Sequence, residues 1–317
     1  MRIMVYLPLV VPVLAALGAR PLAERLPPRT ATWLLTLSAV VLAAATGAVL
    51  GLLALAAAMR LPLLASLGKF SAQAMGRVDS APVQLGVIAA GLLAAAALNV
   101  VRATWLRTAA LVEAHREACR LSGDGRLLVV VKDDRADAYA VPGRPARIVV
   151  TSGMLDSLTE AEREVLLAHE RAHNSGRHYL FTAAARLSAA ANPLLRPLAA
   201  AVSYSVERWA DEQAALVTGS RPLAARAIAK AALATAAAQP GGGRRAHVLA
   251  VAGERDEMRR SGSMPRRVGA LLGPPPPRRL LLLALAIAVV AVSGLATLHA
   301  AGDLHAMIEF AQAAAVG

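Results

Sequence analysis

Long apolar runs and a charged middle divide this chain. Ile3–Ala19, Thr32–Ala58, Pro82–Val101 and Leu280–Ala300 contain no Asp, Glu, Lys or Arg. A helix needs about 20 predominantly apolar residues to cross the hydrocarbon core of a bilayer. The last three runs meet that length, and Ile3–Ala19 stands at its lower limit. A cleaved signal peptide is the other reading of Ile3–Ala19, but its n-region holds only Arg2, and Leu17, Gly18 and Ala19 make a poor cleavage site. The pattern therefore predicts four membrane helices. A fifth apolar stretch, Tyr179–Val202, is interrupted by Arg186, Asn192, Pro193, Arg196 and Pro197. Polar groups at membrane depth are costly without partners, so this stretch reads as a helical hairpin packed on a neighbouring helix or dipping into the interface.

Between the third and fourth runs the period changes. Ala103–Leu121 mixes apolar and charged positions and extends the third membrane helix. Leu127–Val131 is a short run rich in β-branched residues that ends at the turn Lys132, Asp133 and Asp134, and Ala138–Val141 and Arg147–Thr151 are two more short strands separated by Pro142 and Gly143; together they predict a small sheet. Thr159 followed by Glu162 is a capping box ahead of a helical run, Val165–His173. Arg221–Ala237 is alanine-rich and helical, Gln239–Gly243 a break, and Arg244–Arg279 a basic, solvated linker. The fold class is mainly α and polytopic: about four transmembrane helices plus an α+β domain with a small sheet. The domains are 1–102 with three spans, 103–279 with the polar domain and its linker, and 280–317 with the fourth span and a short tail.

Composition sharpens this. The 317 residues are 56% hydrophobic, with a mean hydropathy of +0.51, too apolar for a soluble protein of this charge. The net charge of +13 invites a nucleic-acid reading. The arginines are, however, dispersed over segments that flank the apolar runs, and aromatics are only 3%; direct nucleic-acid binding is not expected. A basic domain beside anionic lipid is the simpler account. Arg20, Arg25 and Arg29 lie in the first connection, most other arginines in 102–279, and no Lys or Arg follows Arg279. Positive-inside bias then puts 20–31 and 102–279 in the cytoplasm, although Arg60, Lys69 and Arg77 in loop 59–81 blur the pattern. Cys119 is the single cysteine, so no intramolecular disulfide forms; it reads as a small buried apolar residue.

The chemistry concentrates at His169, Glu170, Arg171, Ala172 and His173, an H-E-x-x-H motif. Positions i and i+4 share a helix face, so both imidazoles can reach one Zn²⁺, with Glu170 as general base. A helix with two surface histidines is the bland alternative. In the longer H-E-x-x-H-x-x-G-x-x-H pattern a third histidine follows. Here Gly176 fits, but position 179 is Tyr179, and His178 is one residue short. A later helix offers Glu207 and Asp211, again i and i+4; one carboxylate could bind the metal while the other orients a ligand histidine.

These motifs carry a resemblance. Asp137, Ala138, Tyr139 and Ala140 through Gly143, Ile148–Gly153, Leu158–Glu162, the His169–His173 motif with His178, Asn192–Leu194, and Glu207 with Asp211 and Glu212 occur together in this order. In these features the chain resembles the beta-lactam sensor-transducer (antirepressor) family of integral-membrane gluzincin peptidases. It is more distantly similar to HtpX-type and CAAX-prenyl peptidases. The resemblance implies a gluzincin-like domain in which His169, His173 and Glu207 bind one zinc, Glu170 is the base, and Asp211 orients a ligand. It also implies that Ala138, Tyr139, Ala140 and Val141 form an edge strand able to pair with an extended substrate. Relatives that sense beta-lactams carry a penicillin-binding domain after the last span; the chain ends at Gly317, so that sensor is expected to be absent.

The expected function is a zinc endopeptidase of the membrane. Tyr204, Arg208 and His178 are candidates for the oxyanion donor or for substrate contacts. Two uses fit: regulatory cleavage of a repressor, such as a winged-helix transcriptional repressor, or of a membrane partner; or housekeeping proteolysis of damaged membrane proteins. A non-catalytic scaffold with structural zinc would not need Glu170.

Overall fold

The computed structural model describes residues 6–60, 83–121, 127–143, 145–238, 263–277 and 279–316. The expectations for most of loop 59–81, for the break at Gln239–Gly243 and for the basic stretch up to residue 262 lie outside the described residues.

Among the described residues, four helices are long and apolar enough to cross a membrane. These are α1 (Leu7–Arg25), α2 (Pro28–Ala58), α3 (Val83–Leu121) and the C-terminal helix (Leu280–Val316). Proline at the start of α1 and α2 fits the first helical turn, where its missing N–H has no partner to lose. The 39 residues of α3 give a length of about 58 Å at 1.5 Å per residue. That exceeds a bilayer core of about 30 Å, so α3 continues past the membrane as its mixed sequence predicts. α3 crosses α2 closely at Gly86, where a Cβ would meet the side chain and backbone of Ala57. The C-terminal helix also runs on, to Val316; the short tail expected after residue 300 is helical because its alanine-rich sequence holds no proline.

The sheet consists of β1 (Leu128–Val131), β2 (Ala138–Val141) and β3 (Arg147–Thr151) in the order β1-β3-β2. β1 runs parallel to β3, and β2 antiparallel to it, with Tyr139 opposite Val149. β3 is buried along its whole length, which leaves β2 at an edge of the described sheet. Thr151 closes β3 by capping the short helix α4 (Ser152–Asp156), its hydroxyl accepting from Met154 N.

Five further helices follow. They are α5 (Glu160–Ser175), α6 (His178–Ala191), α7 (Arg196–Thr218), α8 (Arg221–Ala237) and α9 (Ser263–Leu272). α10 is the C-terminal helix. α6 and α7 are the hairpin predicted for the interrupted apolar stretch. The break falls at Asn192, whose side-chain oxygen accepts from Leu194 N at 3.1 Å. Its amide donates to Thr46 Oγ1 at 3.2 Å, and Thr46 donates in turn to the Pro8 carbonyl at 3.1 Å. One buried polar chain thus joins the hairpin turn to α2 and α1. The apolar half of α7 completes a core with the first two spans: Ala23, Leu35, Leu195, Leu198 and Val202 are all buried in it. A second core joins α5, α7, α8 and α9 through Val165, Ala214, Ile228 and Leu271.

Two expectations need correction. Residues 263–272, expected within a solvated linker, form α9, and its Arg267 is 4% exposed. The apolar face of α9 (Met264, Val268, Leu271) packs on the second core, so the segment is ordered by burial despite its charge. Cys119, expected to be buried, is exposed on the outer part of α3, with its sulfur 3.5 Å from His115 Nε2.

Candidate metal centre

The centre is built on α5, which starts at the capping box. Thr159 Oγ1 accepts from Glu162 N at 3.4 Å, and Glu162 Oε2 accepts from Thr159 N at 2.9 Å. Lys230 of α8 donates to the same Glu162 oxygen at 2.8 Å. The Lys230 ammonium, then the Thr159 backbone, hold the Glu162 carboxyl down at about 2. At the other end, Asn174 Nδ2 donates to the Arg147 carbonyl at 3.1 Å and fastens α5 to the start of β3. α5 is therefore tied to α8 at its start and to the sheet at its end, on either side of the motif.

One turn apart on α5, His169 and His173 bring their Nε2 atoms within 3.1 Å. Glu207 of α7 closes the triangle, with Oε2 3.5 Å from His169 Nε2 and Oε1 3.5 Å from His173 Nε2. Ligands bonded to a tetrahedral zinc at 2.0–2.1 Å are roughly 3.3–3.4 Å apart. The three side chains fit one small cation placed between them, and their possible ligand atoms all lie within 4.8 Å of one another.

Behind the triangle lies an ionic support. Arg267 of α9 donates to Asp211 from Nε at 2.8 Å and from Nη2 at 2.6 Å, a two-point pair, and its Nη1 lies 2.9 Å from Glu207 Oε2. Asp211 Oδ1 also lies 3.0 Å from His169 Nδ1. Burial disfavours the charged form of each of these groups, yet their mutual attraction overrides it. Glu207 and Asp211 are held below the usual carboxylate range, chiefly by Arg267, and Arg267 is held above its own ordinary value by both. Burial also works against a charged His169, but Asp211 and Glu207 push its pKa up to about 10. The site favours positive charge at this position. Glu207 and Asp211 share Arg267 as a permanent cation.

His173 has a different neighbour. Its Nδ1 lies 3.1 Å from Nδ1 of His178, the first residue of α6. Burial lowers His173 to about 3 and His178 to about 4, so both are neutral at pH 7. The tautomer that leaves His173 Nε2 free for a metal carries its proton on Nδ1 and donates it to His178, the usual support of a ligating histidine. His178 stacks on Trp209, with ring centroids 4.6 Å apart. Gly176 makes room for it: a Cβ there would meet the His178 ring. The glycine that fits the longer motif thus serves a close approach, and His178 reaches the centre from the next helix.

The triangle opens into a cavity of about 730 Å³. Glu170, the edge strand β2 and the apolar faces of α8 and α9 line it, and Arg107 and Leu111 of α3 reach it as well. Glu170 is buried, with 6% of its surface exposed, and lines the cavity beside the triangle. Ala138, Tyr139, Ala140 and Val141 all border the space. Tyr204 and Arg208 do not. They share the face of α7 turned toward α1, where Arg208 donates to the Ala23 carbonyl at 2.8 Å. Of the three donor candidates, only His178 lines the cavity.

Residues 100–192 match the family model described as Peptidase family M48. No curated protein and no solved structure matches the chain. The M48 match takes in the outer half of α3, the sheet, α5 and α6, and with them His169, Glu170, His173 and His178. It supports a metallopeptidase function, and the triangle provides a possible metal site. Glu207 and Asp211 lie beyond the matched segment, and their place rests on the geometry.

Arg267 and Trp209 escaped the sequence reading. Arg267 sits in a run of arginines that looked solvated. The available signal was the spacing of Met264, Val268 and Leu271 around it, which is helical and one-sided.

Proposed function

We propose that the protein is an integral-membrane zinc endopeptidase of the gluzincin type. The observation that carries this reading is the convergence of His169 Nε2, His173 Nε2 and the Glu207 carboxylate beside Glu170, at the wall of a cavity bordered by an edge strand. His169, His173 and Glu207 would hold the metal. The donor set of two imidazoles and one carboxylate is the zinc set of hydrolytic sites, which keep a fourth position open. Zinc supplies Lewis acidity toward the scissile carbonyl and lowers the pKa of a bound water to about 7.

The chain's own residues do the rest. Glu170 takes a proton from the attacking water and returns it to the leaving amine. Asp211 and Arg267 fix His169 and Glu207, and His178 fixes His173. β2, terminal in the described sheet and bordering the cavity, is the strand that would align an extended peptide through main-chain hydrogen bonds with little demand on sequence. A scaffold with structural metal has no use for Glu170 at this wall.

The finer reading is regulatory: a catalytic domain on the cytoplasmic side that cleaves a repressor or a membrane partner, as the resemblance to the sensor-transducer family implies. Burial of Ala19 and Ala23 against α7 supports retention of α1 as the first of four spans. Four spans with this arginine distribution put the centre in the cytoplasm. The apolar, open cavity also suits unselective housekeeping proteolysis, and a neighbouring gene for a small winged-helix repressor would favour the regulatory use.

Two measurements test the proposal. Full-length protein is expected to hold one zinc per chain, and Glu207→Ala to lose it; full zinc stoichiometry in Glu207→Ala would reject the ligand set. Single cysteines near Gly243 and near Gly302, in a Cys119→Ser background, are expected to be protected and labelled, respectively, by an impermeant thiol reagent in intact cells. The opposite pattern would overturn the orientation and the repressor-cleavage reading with it.

A further inference from the structure

Two pairs of adjacent residues link the metal centre to the end of the first membrane helix. On α7, Glu207 faces the metal triangle while its neighbour Arg208 turns the other way. Arg208 Nη1 donates to the Ala23 carbonyl at 2.8 Å and to the Glu24 carbonyl at 3.3 Å. These are among the last carbonyls of α1, which have no partner within their own helix. On α9, Arg267 clamps Asp211 and Glu207, while its neighbour Arg266 donates from Nη1 to Glu24 Oε1 at 2.7 Å. The Tyr204 ring lies between the two linking groups, 5.8 Å from the Arg208 guanidinium and 4.8 Å from that of Arg266. The end of α1 therefore touches both elements that define the third corner of the triangle.

The two contacts differ in strength and in consequence. α7 is a long helix packed along its length in two cores, so its path does not depend on Arg208 alone. α9 has ten residues. Its C-terminal end is held by Arg221, which donates to the Ala270 and Gly273 carbonyls at 2.9 and 2.8 Å. Its N-terminal half carries Arg266 and Arg267, and the charge-assisted bond to Glu24 ties that half to the end of α1. A shift of α9 moves Arg267, and with it the two carboxylates that Arg267 holds. Arg20 also bonds Glu24, at 3.0 Å, but Arg20 is largely exposed and belongs to α1 itself, so it transmits nothing to α9.

We propose that Glu24, at the C-terminal end of α1, is a positioning residue of the metal centre and acts through Arg266 on the Arg267 clamp. The proposal rests on the reading of His169, His173 and Glu207 as a metal site. It makes the seating of the first membrane helix part of what holds that site in shape.

The test is the zinc affinity of full-length protein in detergent, measured by competition with a chelator, together with kcat and KM. Removing a group bonded directly behind a metal ligand typically costs 10–100-fold in affinity. Glu24 acts one bond further out, and Glu24→Ala is expected to weaken zinc binding by roughly threefold to tenfold and to lower kcat with little change in KM. Arg266→Ala should do the same. The double variant should be no weaker than Arg266→Ala alone, because both remove one link. Arg20→Ala should leave affinity unchanged. Glu24→Gln, which keeps the size of the side chain, is measured beside Glu24→Ala against a failure of that variant to fold; a smaller loss in the same direction is expected. Wild-type affinity in Glu24→Ala or Glu24→Gln, or losses that multiply in the double variant, would overturn the proposal while leaving the metal site standing. A wild-type protein that binds no zinc would overturn both.

Discussion

Arg267 and Asp211 form a two-point ion pair, at 2.8 and 2.6 Å, beside the metal triangle. Both are almost fully buried, and the pair joins helices whose contacting residues lie 56 positions apart in the chain. Removing one partner of a buried pair leaves the other charge without compensation and costs about 3–5 kcal/mol. Arg267→Gln should therefore lower the thermal midpoint sharply. Added zinc should recover part of the loss, because the cation replaces some of the missing positive charge. Thermal unfolding of full-length protein in detergent, with and without zinc, measures both effects. A midpoint equal to wild type in Arg267→Gln would contradict the role given to this clamp.

His178 should tune metal binding without supplying a ligand. Its Nδ1 accepts from His173 in the tautomer that binds metal, so His178→Ala should weaken zinc affinity by about 10–100-fold, the usual cost of losing a partner behind a ligating histidine. Asparagine can present an oxygen near the same place, and His178→Asn should recover part of the loss. Chelator competition distinguishes the three proteins. If His178→Ala bound zinc as tightly as wild type, the His173–His178 contact would have no part in the centre.

Acid should erase the contribution of Glu162. Its carboxyl titrates near 2 in the folded protein against an ordinary 4.5. A depressed carboxylate stabilises the fold above its unfolded value and loses that effect as pH falls toward the folded value. Glu162→Gln should lower the thermal midpoint by several degrees at pH 7. The gap from wild type should be full above about pH 5 and should narrow steadily between 4.5 and 2. A gap that stays constant down to pH 3 would show that Lys230 and the cap do not act through the charge of Glu162.

Local signals were legible in the sequence, and contacts between distant segments were not. Thr159 and Glu162 predicted a capping box, and both of its hydrogen bonds are present. His169 and His173 share a helix face because they are one turn apart, as spacing alone requires. The interrupted stretch after Tyr179 is a hairpin because Asn192 and Pro193 cannot continue α6. The strand positions followed from runs of β-branched residues. The order of the sheet did not, since β2 pairs at the edge of β3 while β1, earlier in the chain, takes the parallel side. The face of α7 that carries Tyr204 and Arg208 turns toward α1, and only packing decides that. Arg267 was hidden for the same reason: its partners belong to another helix, and its neighbours in sequence are solvent-like.

Glu170, beside the metal triangle, is proposed as the base for peptide hydrolysis and not as a metal ligand. Glu170→Gln keeps size and polarity and removes the base. The decisive measurement is zinc content and rate of protein-substrate hydrolysis on the same purified full-length sample. The account predicts wild-type zinc stoichiometry with a rate reduced by about 10²–10⁴-fold, the range of a general-base contribution. Hydrolysis at the wild-type rate by zinc-loaded Glu170→Gln would contradict it.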